Sequence, residues 1–265
     1  MKAFARLSLV TAVCAFVPAF ALADTVNGTT TVNASDNIYA AGSQSTLVTN
    51  CSSVGYCGAG GLGTVPGSIS VDGATYVTVS ATGTISINGG GTTNDPDGLT
   101  GGNPAYVPAS FSSGFESLSG ITAPGGGYLV GVFVGPDGPS GTAPASLTYT
   151  SATTGLSSYS PLLDQVFFIG DGLTGDGTGS SQEFIVPAGA TELYLGISDA
   201  CNFTGAPSCY GDNQGAFDDV SYSVVTSGGN NNGPSPTPEP SSLALLGTGI
   251  LGAAGALRRR IRLNR

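Results

Sequence analysis

Histidine and tryptophan are absent from this chain, and all seven of its basic residues lie near the ends: Lys2 and Arg6, then Arg258, Arg259, Arg260, Arg262 and Arg265. Phosphate and nucleic-acid recognition depend largely on cationic side chains, so that gap argues against nucleotide or nucleic-acid binding. Without histidine there is neither the usual base of a Ser/His/Asp site nor the imidazole ligands that zinc and copper favour. Without an internal lysine there is no Schiff-base chemistry. What stays open is oxygen chemistry: a pair of carboxylates for hydrolysis, or Asp, Asn and carbonyl oxygens around a hard cation. No catalytic motif accompanies the 17 acidic residues, so a binding or structural protein is expected rather than an enzyme.

Helical periodicity is missing as well between residues 24 and 233. The 43 glycines and 16 prolines, with many Ser, Thr and Asn, favour short strands and tight turns, while 40% hydrophobic content is enough to fill a core. Strand patterns occur at 74–88, 127–135, 146–150, 166–170, 183–187, 192–198 and 217–225, separated by Gly/Pro loops. The expected fold is all-β, an antiparallel β-sandwich. Residues 24–60 alternate only weakly and read as an extended arm or edge strands.

Both ends look like addresses. Residues 1–23, MKAFARLSLVTAVCAFVPAFALA, have a positive start, an apolar middle and Ala-Leu-Ala before Asp24, the pattern of a signal peptide cleaved after Ala23. A membrane anchor is the alternative, and Pro18 fits it less well. At the other end a Pro/Asn/Gly linker leads to Pro238-Glu239-Pro240, an apolar run from Leu243 to Leu257, and the arginine block. This order resembles the PEP-CTERM sorting signal of Gram-negative bacteria. The resemblance implies recognition by a membrane protease, the exosortase, with the arginines held on the cytoplasmic side. Fifteen residues make a helix of about 22 Å, short for a bilayer and suited to temporary retention. An ordinary C-terminal anchor is the competing reading. The expected layout is a signal peptide (1–23), a Thr/Ser/Gly-rich arm (24–69), a β domain (70–226), a linker (227–237) and a sorting signal (238–265) with one transmembrane helix.

Of the five cysteines, Cys14 leaves with the signal peptide and four remain. In an oxidising compartment two disulfides are expected. Cys51 with Cys57 and Cys201 with Cys209 are preferred because each closes a short loop, and the other pairings stay open. Zinc held by four thiolates is the alternative, against which neither spacing is C-x-x-C.

The densest stretch is YLGISDACNFTGAPSCYGDNQGAFDDVSYSV, from Tyr194 to Val224. Leu193, Leu195 and Ile197 alternate inward, so Asp199 is expected at the rim where the strand ends. With V-T-V-x-A-x-G at 77–83, P-D-G-L at 96–99, Y-L-V-G-V-F-V-G at 128–135 and Y-G-D-N-x-G-x-F at 210–217, the central domain resembles the small calcium-dependent galactophilic (LecA-like) lectins of bacteria. The resemblance implies a jelly-roll or galactose-binding-like β-sandwich with one calcium at an edge, completed by sugar hydroxyls. Carried over by position, it implies side-chain ligands at Asp199, Asp212 and Asn213 and carbonyl ligands at Ile87 and Cys209. Asp95 and Asp97 then lie where carbohydrate contacts are made. Asp95 replaces the family's sugar-contacting histidine, so calcium carries over better than galactose.

Asp and Asn beside Gly are also common turn formers, and a solvated hairpin at 210–215 competes with the metal reading. Asp218 and Asp219 read as solvent-facing strand residues. The resulting expectation is an exported, envelope- or exopolysaccharide-associated protein with a calcium-binding, lectin-like domain. The alternative is a purely structural envelope or matrix protein without a ligand.

Overall fold

The alternation of Val77, Val79 and Ala81 with Thr78 and Ser80 has the two-residue period of a pleated strand, and in the computed structural model the first three are buried. The structure describes residues 23–42, 61–87, 89–90, 93–98, 117–200, 205 and 207–227. The signal peptide, Cys51, Cys57, Cys201, the linker after Ser227 and the expected membrane helix lie outside the described residues. Among the described residues no helix is long and apolar enough to cross a membrane.

In chain order the strands are β1 (Asp24–Asn33), β2 (Ser68–Ser70), β3 (Ala74–Ser86), β4 (Ile121–Thr122), β5 (Leu129–Val134), β6 (Leu147–Thr148) and β7 (Ser158–Tyr159). Then come β8 (Val166–Phe168), β9 (Leu173–Gly175), β10 (Thr178–Ser181), β11 (Glu183–Ile185), β12 (Glu192–Ile197) and β13 (Gln214–Thr226). A five-stranded sheet has the order β1-β13-β3-β11-β7 and a four-stranded sheet the order β2-β12-β5-β8. β9 pairs with β10, and β4 with β6. The described helical residues are confined to single 3-10 turns, including Ile38–Ala40 and Tyr210–Asp212.

Every long pairing is antiparallel, as expected, but β7–β11 and β4–β6 are parallel. The chain leaves β7, passes through β8 in the other sheet and the β9–β10 hairpin, and re-enters beside β7 in the same direction. A parallel neighbour needs a long connection of this kind. The segment read as an arm or edge strands supplies β1, whose partner among the described residues is β13.

The two larger sheets share one core. Phe184 of the first meets Phe167 of the second with ring centroids 5.4 Å apart, and Phe167 stacks on Phe133 at 5.2 Å. Val77, Val220 and Val224 on one side and Leu129, Leu193, Leu195 and Ile197 on the other complete it, while Val130 and Val132 are buried on the opposite face of the four-stranded sheet. At about 25 cal/mol per Å2 of apolar surface, burying each such side chain stabilises the fold by about 1.5–3 kcal/mol. This core lies wholly within residues 32–224, inside the compact unit that ends at Gly228. That unit therefore carries its own core.

β1 and β13 also define two poles. Asp24 lies opposite Thr226 at one, and Asn33 opposite Ala216 at the other. The second pole receives the end of β12 too, because Ile197 N donates to Asp36 O at 2.7 Å.

Candidate functional site

The candidate site lies at this second pole. β12 buries Leu193, Leu195 and Ile197, and the next residues, Ser198 and Asp199, are buried as well. Asp199, expected at an open rim, is only 1% exposed. The reason is Tyr210, a fully buried residue in the 3-10 turn that folds back over the strand end. Its hydroxyl donates to Ile197 O at 2.9 Å and accepts from Asp199 N at 3.0 Å. Ser208 N reaches Asp199 O at 3.3 Å. Cys209 enters the turn in the left-handed region at φ 69°, and its carbonyl accepts from Asp212 N at 3.4 Å.

Asp212, Asn213 and the residues after Ile87 meet at the same place. Gly89 N donates to Asp212 O at 3.0 Å, tying the end of β3 to the turn. Asn213 Nδ2 donates to Ala34 O at 2.8 Å. This bond sets the amide's direction, since the reversed amide would put oxygen against a carbonyl. Asn213 Oδ1 is then buried without a hydrogen-bond partner, as is Asp199 Oδ2. The other Asp199 oxygen accepts from Ala200 N at 2.7 Å.

The electrostatics follow from this packing. Burial pushes the Asp199 carboxyl up to about 7, the Asn213 side chain and the Ala200 N–H pull it back, and the Asp212 charge raises it further. Asp199 Oδ2 and Asn213 Oδ1 are therefore buried acceptors on neighbouring side chains in a low-dielectric setting. The described residues include no lysine, arginine or histidine that could supply a cationic donor at this pole. Buried acceptors in such a place are satisfied by a proton, a bound water or a cation.

Asp199, Asp212 and Asn213 are thus brought together, with Ile87 and Cys209 in the adjoining backbone. Among the described residues no group of three Asp, Glu, Cys or His side chains is placed to hold a metal. An ion here has to draw on the Asn213 amide and on carbonyls, an oxygen set that suits calcium. Asp212 is exposed on the outer side of the turn. Cys209 is disulfide-bonded. Since its expected partner Cys201, like Cys51 and Cys57, lies outside the described residues, both pairings stay expectations.

Asp95 and Asp97 belong to a different group of acids. Asp97 Oδ1 accepts from Asp171 N at 3.0 Å. Burial pushes its carboxyl up to about 7, opposed by that N–H and reinforced by the charges of Asp171, Asp95 and Asp176. Asp97 and Asp176 line a cavity of about 180 Å3 with Phe168, Thr154 and Thr174. Asp171, which sequence reasoning did not single out, organises this region: its carboxylate accepts from Leu173 N at 2.8 Å and Gly177 N at 2.7 Å across the β9–β10 hairpin. Tyr210 was the other omission. It stands inside the Y-G-D-N block, but nothing in that block signals that its hydroxyl clips the turn to β12.

No curated protein and no solved structure matches the chain. Neither comparison therefore supports the resemblance to galactophilic lectins expected from the sequence. Residues 236–260, which include Pro238-Glu239-Pro240 and Arg258 to Arg260, match the PEP-CTERM protein-sorting motif, which implies export to the cell envelope or surface and processing by exosortase, a membrane protease.

Proposed function

We propose that this exported protein is a β-sandwich that binds one calcium ion through Asp199, Asp212 and Asn213, with carbonyl oxygens of Ile87 and Cys209, and presents it to carbohydrate at the cell surface. The observation that carries the reading is the pair of buried, unpartnered oxygens, Asp199 Oδ2 and Asn213 Oδ1. Two carboxylates nearly balance the ion's charge, and the amide and carbonyls add neutral oxygens. A bound calcium supplies Lewis-acid sites for water or vicinal sugar hydroxyls. The chain's part is to hold Asp199 dry under Tyr210, to aim Asn213 through Ala34, and to leave Asp212 on the solvent side.

A second reading is a structural envelope or matrix protein without a ligand. It is favoured by the rise of Asp199 to about 7. A proton on Asp199 gives Asn213 Oδ1 a donor without any metal. Titrating calcium into residues 24–228 while recording thermal unfolding separates the two. A calcium-dependent rise that Asp212→Ala removes supports the metal site, and no response at millimolar calcium supports the scaffold. A glycan array run with and without calcium then tests the carbohydrate step, and silence across all sugars would leave calcium binding without it.

A further inference from the structure

Among the described residues, strand β1 carries a free edge. It is ten residues long and pairs on one side with β13. Among the described residues no strand pairs with its other side. At about 3.4 Å per residue it offers roughly 34 Å of backbone donors and acceptors. Exposed edges are usually guarded by lysine, proline or inward charges. DTVNGTTTVN has no lysine and no proline, and its one charge is Asp24 at the first position. The register shift between Thr30 and Val32 is the single irregularity, and it lies near the far end.

The core-facing side of this edge is also unfinished. Val26 lies in one cross-strand row with Val224 and Val77. Val77 and Val224 are buried, yet Val26 is 58% exposed. Two positions on, a Cβ at Gly28 would run into the Tyr222 hydroxyl, so the absence of a side chain lets that ring lie across β1. Glycine inside a strand is a common sign of such close approach. The result is an apolar side chain and an aromatic ring at a bare backbone edge.

We propose that β1 pairs with β1 of a second copy of this chain, antiparallel about a two-fold axis near Gly28, joining the two five-stranded sheets into one. Charge selects this arrangement. In parallel register each Asp24 would stand beside its counterpart. In antiparallel register about Gly28, Asp24 faces Val32 of the other copy, and the two acids lie roughly 27 Å apart along the ribbon, beyond the Debye length of about 8 Å at physiological salt. The same strand serves both sides of an isologous interface, as two-fold symmetry requires. Each Val26 then packs at the sheet junction instead of facing water. The pairing depends on no metal.

Sedimentation velocity on residues 24–228 and on the full chain in detergent, from low micromolar to millimolar, combined with hydrogen exchange over 24–33, tests this. The expected result is a concentration-dependent dimer whose β1 amides gain protection as it forms. Val26→Lys and, separately, Thr29→Lys should weaken association by about tenfold or more by placing charge at the junction. Unchanged near-ultraviolet circular dichroism would show that both variants fold. A monomer at every concentration overturns the proposal. So does β1 protection that ignores concentration, which would mean another segment of the same chain covers the edge. A dimer indifferent to both lysines overturns it as well.

Discussion

Asn213 donates its side-chain nitrogen to the Ala34 carbonyl at 2.8 Å, and this bond between the start of β13 and the end of β1 leaves its oxygen buried without a donor. The pole is therefore held rigidly by backbone contacts while two of its oxygens lack donors. Removing the clip and removing the carboxylate have different consequences.

Tyr210→Phe keeps the ring and deletes the hydroxyl that joins Asp199 N to Ile197 O. Two buried backbone groups lose their partner, each costing about 1–3 kcal/mol. Urea unfolding should show a lower midpoint with an unchanged slope. A midpoint equal to that of the unaltered chain would contradict the role given to this hydroxyl.

Asp199 predicts a pH dependence in chelator. Its folded pKa of about 7 lies above the 3.8 of an ordinary aspartate. A carboxyl raised in the folded state stabilises where it is protonated. That contribution is full below about pH 4 and is lost as pH rises through about 7, and it amounts to at most about 4 kcal/mol. Asp97 acts in the same direction, more weakly because it is partly exposed. Stability without calcium should fall from pH 4 to pH 8, and Asp199→Asn, whose amide can donate to Asn213 Oδ1, should remove most of that fall. An equally steep decline in the variant would contradict the assignment.

Gly172 sits at φ 78°, and a Cβ there would collide with the Val79 carbonyl. Backbone cannot yield as a flexible side chain does, and the left-handed conformation adds strain. Gly172→Ala should cost about 3 kcal/mol or more in chemical denaturation. A loss below about 1 kcal/mol would show that this approach of the β8–β9 connection to β3 is not tight.

Asp171→Asn replaces one acceptor oxygen by a nitrogen that must face Leu173 N or Gly177 N. The β9–β10 hairpin should exchange its amides faster, with a global cost of about 1–3 kcal/mol. Unaltered exchange across residues 173–181 would mean the hairpin does not rely on this carboxylate.

The long strands were legible because β3, β5, β12 and β13 bury Val, Leu, Ile and Phe in numbers that local pattern reveals. β7, β9 and β10 were not, because Ser158–Tyr159, Leu173–Gly175 and Thr178–Ser181 carry almost no apolar alternation. Asp171 and backbone pairing hold the hairpin instead. At the pole, the nearness of Asp199 to Asp212 and Asn213 could be anticipated from the sequence blocks. The burial of Asp199 could not, since it depends on a tyrosine hydroxyl reaching across a turn and on a carbonyl from Ala34, far away in the chain. The placement of Asp97 with Asp171 likewise comes from tertiary closure.

The most direct measurement is the thermal unfolding of residues 24–228 at pH 8 in chelator and in calcium, alongside Asp212→Ala and Asp199→Asn. With calcium about a hundredfold above its dissociation constant, linkage adds about 2.7 kcal/mol, which for a domain of this size raises the midpoint by about 5 °C or more. Both variants should lose that rise. An unaltered chain whose midpoint is the same in chelator and in millimolar calcium would contradict the metal site and leave a proton on Asp199 as the partner of Asn213.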